Sequence, residues 1–231
     1  MSILELKNIT KKFGSKVALD SIHVTLQPGK IVGLLGTNGS GKTTMIKLIN
    51  DLLTPDQGTV QINGKKPGID TKKIVSYLPE RSYLDPGMTV KEALRLFSDF
   101  YADFDRKKAE GLLQEFSISL DSRIKTLSKG TREKVQLVLV MSRKAKLFVL
   151  DEPMAGVDPA ARDHILDTIL SSYDEEATIL ISTHLIADVE RVLDEVIFLD
   201  HGKITRQEDA DELRIRTGKS IDQIFREDFR C

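Results

Sequence analysis

Eight consecutive residues, Gly36 to Thr43, match the pattern of a phosphate-binding loop. Its three glycines let the backbone curl so that several N–H groups can face one phosphate, and a following helix adds its positive end. We expect the ammonium group of Lys42 on the β- and γ-phosphates of a nucleotide and the hydroxyl of Thr43 on Mg²⁺. A glycine-rich turn without a ligand is the alternative, and the flanking strand and helix disfavour it. The predicted ligand is a nucleoside triphosphate.

Two adjacent acids follow the apolar run Leu147–Leu150. Asp151 and Glu152 therefore stand at the carboxyl end of a predicted strand, where ligands gather in open parallel sheets. A carboxylate there can hold Mg²⁺ through its water shell, which suits Asp151, and its neighbour Glu152 can orient or deprotonate the attacking water. Taken alone, two acids that end a strand at the surface would be the simpler interpretation. Together with the phosphate loop they predict hydrolysis.

The elements that must position these groups follow the pattern of a parallel α/β sheet. Ile31–Leu35 is nearly all apolar, which is typical of a strand buried on both faces, and it ends at the phosphate loop. Segments with helical spacing separate most of the later apolar runs. These runs are Lys146–Leu150, Thr178–Ser182 and Val196–Leu199, and shorter alternating strands are predicted at Ile3–Leu6, Ile22–Leu26 and Val60–Ile62.

The middle of the chain predicts helices. Thr89 and Glu92 form the pattern of a capping box, and apolar residues with helical spacing follow it. The same spacing returns after the charged stretch Asp103–Lys108. We therefore expect a helical insertion in the α/β core at about residues 87–145. The charged stretch Gln207–Cys231 predicts one or two surface helices.

Composition excludes several classes of protein. Hydrophobic residues make up 40% of the 231 and charged residues 30%, which is ordinary for a globular chain. The 34 Lys and Arg nearly cancel the 35 Asp and Glu, so there is no basic footprint of a nucleic-acid binder. The single cysteine, Cys231, allows no internal disulfide and favours a reducing cytosol. The start of the chain is unlike a signal peptide, and no apolar run approaches about 18 residues.

From residue 2 to about residue 210 the sequence resembles the ATP-binding subunits of ABC transporters. On that resemblance Gly36–Thr43 is the Walker A motif, Leu147–Asp151 is Walker B, and Glu152 is the catalytic carboxylate. His184 resembles the switch histidine, which can reach a γ-phosphate from the end of a neighbouring strand, although alone it would be an ordinary strand-end histidine. The residues expected around the phosphates are Gly36, Thr37, Asn38, Gly39, Ser40, Gly41, Lys42, Thr43 and Thr44.

Three further positions carry the resemblance. Phe13 stands where the family stacks an aromatic ring on adenine, although a core position would also suit it. Asp158 resembles the D-loop aspartate that communicates across a dimer, and before Pro159 it is also a good helix N-cap. Glu80 occupies the Q-loop position where the family usually has glutamine. Its carboxylate can ligate Mg²⁺, but it adds negative charge near the phosphates and puts the usual coupling to a permease in doubt.

The family's signature, usually Leu-Ser-Gly-Gly-Gln, is represented here by Leu127-Ser128-Lys129-Gly130-Thr131. Two of the five positions depart, while Ser128 and Gly130 keep a hydroxyl and an unobstructed N–H. A helix that begins near Gly130 would point its positive end at a γ-phosphate held by a partner subunit. Lys129 either adds charge to that phosphate or points into solvent. A simple helix-start turn is the alternative for this segment.

The resemblance implies an α/β P-loop NTPase fold, with a RecA-like parallel-sheet core, an N-terminal antiparallel β subdomain and an inserted α-helical subdomain. It also implies one ABC-type ATP-binding domain over residues 1–231. Within it we expect the core and β subdomain at about 1–86 and 146–210, the helical subdomain with the signature at about 87–145, and a C-terminal helical tail at about 211–231.

The function implied is an ATPase that uses ATP and Mg²⁺. Two such subunits, identical or different, would sandwich ATP and drive an integral-membrane permease from the cytoplasmic face of the cell membrane. The face offered to the permease would be the helical segment and the loop Glu80–Val90, with Tyr83, Leu84 and Met88 as exposed apolar candidates. The lack of a long added C-terminal domain, and the departures in the signature and Q-loop, lean weakly toward export.

Two other functions stay open. The altered signature and Glu80 would also suit a regulatory, catalytically weak nucleotide binder in a heteromeric complex. A soluble ABC ATPase that acts on nucleic acid or the ribosome is the other. Sustained heptads, a second ATPase unit and a basic patch are all missing from the sequence, so no nucleic-acid partner is expected.

Overall fold

Two β-sheets and a set of helices form the protein in a computed structural model that describes residues 2–229, so that Met1, Arg230 and Cys231 lie outside it. An antiparallel sheet has the strand order β2-β1-β4, and a six-stranded sheet has the order β5-β6-β7-β3-β8-β9. In the larger sheet the five strands β5, β6, β7, β3 and β8 run parallel, and β9 pairs antiparallel with β8 at one edge. This architecture confirms the predicted fold class.

The strands are β1 Leu4–Phe13, β2 Lys16–Leu26, β3 Ile31–Leu35, β4 Gln57–Ile62, β5 Val75–Leu78, β6 Leu147–Asp151, β7 Thr178–Thr183, β8 Glu195–Asp200 and β9 Lys203–Asp209. The helices are α1 Lys42–Ile49, α2 Ile69–Lys72, α3 Val90–Phe100, α4 Arg106–Glu115, α5 Lys129–Met141, α6 Pro159–Ser172, α7 Ile186–Val189, α8 Ala210–Thr217 and α9 Ile221–Phe229. Short 3₁₀ turns cover Ile124–Thr126 and Glu190–Val192. Within residues 2–229, no helix is both long and apolar enough to cross a membrane.

The central strands β3, β6 and β7 of the larger sheet are buried at every position, and apart from Asp151 and three Ser or Thr residues of β7 they carry only apolar residues. Along β6, Phe148 and Leu150 pack into one core with α5, α6 and α9, while Leu147 and Val149 pack into a second core with α1 and the antiparallel sheet. Successive side chains of a strand point to opposite faces, so continuous apolar runs suit this position. The carboxyl ends of β3, β6 and β7 therefore lie side by side.

Helices α3, α4 and α5 come between β5 and β6 in the chain and form a third apolar cluster of their own. The predicted capping box starts α3: the N–H of Thr89 donates to Glu92 Oε2 at 2.7 Å, and Thr89 Oγ1 accepts from the N–H of Glu92 at 3.2 Å. Of the predicted exposed apolar residues, Tyr83 is 46% exposed. Leu84 was predicted wrongly, because it is only 6% exposed and packs into this cluster.

The sequence analysis did not predict two of the strands, β5 and β9. β5 has four residues, and its polar Ser76 is buried only because its hydroxyl donates to the carbonyl of Val140 at 2.9 Å. β9 includes Gln207, where we expected the surface helices to start, and α8 begins instead at Ala210. β9 lies at the edge of the sheet, and most of its residues are polar and partly exposed, so it lacks the apolar alternation that predicts a strand.

Candidate functional site

The phosphate loop joins the end of β3 to the start of α1. Gly41 caps α1 with φ 117°, and a Cβ there would lie 2.7 Å from the carbonyl oxygen of Ala18. A Cβ on Gly36 would lie 2.4 Å from the carbonyl oxygen of Leu199. Only glycine fits both places. No side chain in the described part of the chain caps α1, so its first N–H groups remain available to an anion.

Lys42 lies at the first position of α1, and its side chain is 6% exposed. Its Nζ donates to the carbonyl of Gly36 at 2.7 Å and to that of Thr37 at 3.3 Å. It also lies 3.6 Å from Glu152 Oε1. The phosphate loop thus holds a buried ammonium group against Glu152, the predicted catalytic carboxylate, which directly follows β6.

Asp151, the last residue of β6, is 1% exposed. Ser182 stands opposite it on β7 and donates its hydroxyl to Asp151 Oδ1 at 2.5 Å. Burial raises the pKa of Asp151, the charges of Glu152 and Glu80 add to that, and the hydroxyls of Ser182 and Thr43 oppose it. Ser182 was not singled out from the sequence. The signal in the sequence was that Ser182 ends a predicted strand, as Asp151 does, so that the two could be neighbours at the edge of the sheet.

Glu152 has a left-handed backbone with φ 51°, which costs a residue with a side chain about 1–3 kcal/mol. Its N–H donates to the carbonyl and the hydroxyl oxygen of Ser182, at 3.0 and 3.2 Å, and these bonds hold the turn. Its carboxylate reaches Lys42 with one oxygen, and its Oε2 lies 2.9 Å from His184 Nδ1. The fold therefore connects Lys42, Glu152 and His184 in one chain of polar contacts.

A cleft of about 480 Å³ opens above these groups. Phe13, at the end of β1, is 49% exposed and borders it, and Glu80 and His184 lie on its walls. Three lining residues were not predicted: Lys16, Ala18 and Ala155. Of the predicted residues, the cleft is lined by Phe13, Asn38, Gly39, Gly41, Lys42, Thr43, Thr44, Glu80, Glu152 and His184. Gly36 and Thr37 accept from Lys42 through their carbonyls, and Ser40 is buried in the loop.

The donor set at this cleft fits a magnesium ion that arrives with a nucleotide. Asp151 Oδ2 is buried and has no hydrogen-bond partner in the described part of the chain, so one carboxylate oxygen is left without a proton donor. Thr43 lies at the same end of the sheet, and Glu80 is close enough to affect the pKa of Asp151. Within residues 2–229, no three His, Cys, Asp or Glu side chains form a metal cluster. Mg²⁺ is typically held by one or two carboxylates together with phosphates and water, and Asp151 is a carboxylate of that kind.

Ser128, Gly130 and Asp158 do not line the cleft of their own chain. Ser128 is the N-cap of α5, and its hydroxyl oxygen accepts from the N–H of Thr131 at 3.2 Å. Asp158 holds the N-cap position of α6, ahead of Pro159, without a side-chain capping hydrogen bond in the described region. These three predicted residues thus form a second set.

Gly156, in the segment before α6, lies close to the first turns of α5. A Cβ on Gly130 would lie 3.8 Å from the carbonyl oxygen of Gly156, and a Cβ on Gly156 would lie 2.2 Å from Glu133 Oε1. Burial raises the pKa of Glu133, and its Oε2 has no hydrogen-bond partner among the described residues. The start of α5 and the segment before α6 therefore lie against each other.

Comparisons with known proteins agree with this geometry. The family model described as ABC transporter matches residues 19–155. The ABC-type transporter ATP-binding protein EcsA of Bacillus subtilis is 32% identical over 98% of this chain and 96% of its own length. The Nod factor export ATP-binding protein I of Cupriavidus metallidurans is 31% identical, over 87% of this chain and 69% of its own. A solved ATP-binding subunit of an ABC transporter superimposes with a TM-score of 0.88 at 31% identity, covering 98% of this chain and 99% of that one.

Proposed function

Since this chain belongs to the ABC transporter family, as an ATP-binding subunit, we propose that it hydrolyses ATP in the cleft and so drives a separate membrane permease. The main support for this proposal is the series of side-chain contacts from Lys42 through Glu152 to His184. It joins a phosphate-binding cation, a carboxylate that can accept a proton and a histidine at the mouth of one cleft. A fold that only bound nucleotide would not need the strained backbone of Glu152.

In this proposal the nucleotide lies along the cleft from β1 to β6. The exposed ring of Phe13 stacks on adenine, and the N–H groups of residues 37–44 surround the phosphates. Lys42 neutralises charge on the β- and γ-phosphates. Thr43 and Asp151 hold Mg²⁺, with Glu80 as a further oxygen ligand. When bound, the ion neutralises charge that develops on the phosphate oxygens.

Glu152 is the group that handles the proton of the attacking water. Its carboxylate lies within hydrogen-bonding distance of His184 and is held by its backbone bonds to Ser182. In this position it can accept a proton from a water in line with the γ-phosphate. His184 orients that carboxylate and can donate to the γ-phosphate oxygens.

Ser128, Gly130 and Asp158 complete the site of a second ATP-binding subunit. They do not line the cleft of their own chain, and Ser128 caps α5 at the helix end whose N–H groups would face a partner's phosphate. Two subunits arranged head to tail would each supply this set to the other. ATP then lies between them and draws them together, and hydrolysis lets them separate.

The relatives support our proposals for the permease partner, the direction of transport and the cellular location. The similarity to a Nod factor export ATP-binding protein favours export. A permease partner would place the chain at the cytoplasmic face of the membrane. The exposed side of the helical insertion, which includes Tyr83, is the surface we assign to the permease.

ATP-driven dimerisation tests the composite site. Glu152→Gln slows hydrolysis and keeps ATP bound, so sedimentation of this variant with ATP and Mg²⁺ should show a dimer, while ADP should leave a monomer. Adding Lys42→Ala to the same variant removes phosphate binding and should restore the monomer. A Glu152→Gln variant that stays monomeric at saturating ATP would show that two copies of this chain do not share the nucleotide.

A further inference from the structure

The loop that follows β5 places a carboxylate on the wall of the nucleotide cleft. Glu80 comes two residues after the end of β5, and its side chain lines the cleft together with Lys42, Thr43 and Glu152. It is exposed, and among the described residues no side chain pairs with its carboxylate or donates a hydrogen bond to it. Its charge is therefore left uncompensated until a ligand enters.

The cleft carries more negative than positive charge at the place where phosphates would lie. Its described lining includes two ammonium groups, of Lys16 and Lys42, and two carboxylates, of Glu80 and Glu152. Asp151, buried at the end of β6, adds a third carboxylate. Burial raises the pKa of Asp151, and the charges of Glu152 and Glu80 add to that shift, so the three acids act on one another.

The cations of the cleft do not neutralise Glu80. Lys42 lies 3.6 Å from Glu152 Oε1, and His184 Nδ1 lies 2.9 Å from Glu152 Oε2, so both act on the neighbouring acid. Lys16, at the start of β2, is exposed, and the described residues give its side chain no ion pair. Glu80 thus adds a negative charge that the cleft itself does not offset.

A second cavity, of about 380 Å³, adjoins the cleft on the side of α5 and shares Glu80 with it. Three cations line this cavity: Arg81, Lys129 and Arg132. Lys129 pairs with Glu133, one turn further along α5, at 3.8 Å. In the described part of the chain, no cation of the cavity lies within ion-pair distance of Glu80. These groups therefore also leave the charge of Glu80 in place.

From this charge balance we propose that Glu80 makes the cleft select ATP as its complex with a divalent cation and disfavour metal-free ATP. A divalent cation cancels part of the negative charge of the triphosphate and attracts the carboxylate. The metal complex therefore meets attraction at Glu80, where the metal-free nucleotide meets repulsion. This selection rests on the proposed function, because it takes the cleft as the nucleotide site.

Selection by charge differs from ligation in what it predicts for ATP without a metal ion. A side chain that only supplies an oxygen ligand affects the metal complex and leaves the binding of metal-free nucleotide unchanged. An uncompensated carboxylate also weakens the binding of metal-free nucleotide, and its effect grows with the number of phosphates. The neutral variant Glu80→Gln keeps an oxygen that can act as a ligand and removes the charge, so it separates the two roles.

Equilibrium binding of a fluorescent, non-hydrolysable ATP analogue to the full chain tests the proposal, once with Mg²⁺ and once with EDTA. The native chain should bind the magnesium complex more tightly. Glu80→Gln should bind the metal-free analogue about three- to tenfold more tightly than the native chain does, as for one partly screened unit charge. The preference for the magnesium complex should fall by about the same factor. The gain should shrink as the salt concentration rises.

Two controls show whether the gain comes from the charge of Glu80. Asp85→Asn makes the same change at an exposed acid of the same loop that does not line the cleft, and it should leave the preference for the magnesium complex intact. Labelled ADP lacks the γ-phosphate and should gain less from Glu80→Gln than the ATP analogue does. The proposal is overturned if Glu80→Gln binds the metal-free analogue no better than the native chain, if Asp85→Asn gains as much, or if ADP gains equally.

The proposed function and this inference fail in different ways. If the native chain binds the magnesium complex and the metal-free analogue equally well, only the selection by Glu80 fails. If the native chain binds neither form better than Lys42→Ala does, the cleft is not the nucleotide site and the proposed function fails as well.

Discussion

The nucleotide cleft and a groove between the α/β core and the helical insertion lie at opposite ends of α1 and differ in how they hold charge. The groove, of about 560 Å³, is lined by the carboxyl end of α1, by β5 with the loop that follows it, and by α3. In the cleft, Lys42, Glu152 and His184 contact one another, and Ser182 satisfies one oxygen of Asp151. In the groove, Arg81 has no partner in the described part of the chain, and apolar rings face outward. The cleft is preorganised for a small, highly charged ligand. The groove leaves apolar rings and cationic groups exposed.

The largest expected effect on stability distinguishes two phenylalanines of α3, one in the core and one in the groove. Phe97 is 7% exposed and packs against Tyr101 and Phe104, with ring centroids 5.3 and 5.6 Å apart, whereas Phe100 is 75% exposed. Phe97→Ala should lower the free energy of unfolding by about 3–5 kcal/mol, because it leaves a cavity. Phe100→Ala should change it by less than about 0.5 kcal/mol. Urea denaturation measures both, and equal losses would show that the groove is part of the core.

We expect that removing the buried charge of Asp151 raises the free energy of unfolding. Burial raises the pKa of Asp151, so the folded chain holds this proton more tightly than the unfolded chain does. The ionised carboxylate then destabilises the fold, and the penalty develops as the pH rises from the unfolded pKa, about 3.9, through the folded pKa.

Asp151→Asn removes that penalty and can still accept from Ser182. We expect its free energy of unfolding at pH 7 to rise by about 0.5–2 kcal/mol while ATP turnover is lost. The difference should shrink below about pH 4, where the native carboxyl is protonated in both states. Chemical denaturation at the two pH values measures it. A variant that is less stable than the native chain at pH 7 would contradict this account of Asp151.

The smallest expected effect compares two helix caps. Ser128 caps α5, and Thr89 caps α3 in its capping box. Replacing either with Ala should cost about 1 kcal/mol of stability. Only Ser128→Ala should also lower ATP turnover, because only that helix end is assigned to a neighbour's phosphate. Turnover that falls equally in Thr89→Ala would show that the loss comes from stability alone.

The cleft could be predicted from sequence because its parts follow one another along the chain. Gly36–Thr43 is a continuous motif, and Asp151 with Glu152 directly follows an apolar strand, so local residue order fixes both. The role of Ser182 could not be predicted, because it depends on the pairing of β7 with β6. The left-handed backbone of Glu152 escaped too, since nothing in the residue type requires it.

The groove could not be predicted from sequence in the same way. Lys47, Arg81 and Phe100 come from three elements, and each alone looks like an ordinary surface residue. The prediction for this face named Leu84 as exposed, and the structure buries it, because apolar residues in a loop do not reveal which of them pack. The shared sign of the groove's charges, which are all Lys or Arg among its described lining residues, also becomes visible only when the elements are placed together.

The central claim is that Glu152, held between Lys42 and His184, makes this chain an ATPase. The most direct test compares ATP turnover of the native chain and Glu152→Gln with saturating ATP and Mg²⁺, in the presence of the proposed permease partner. We predict that the native chain turns over at least about 100-fold faster, while both bind ATP. A native chain as inactive as Glu152→Gln would contradict the claim and favour a regulatory nucleotide binder.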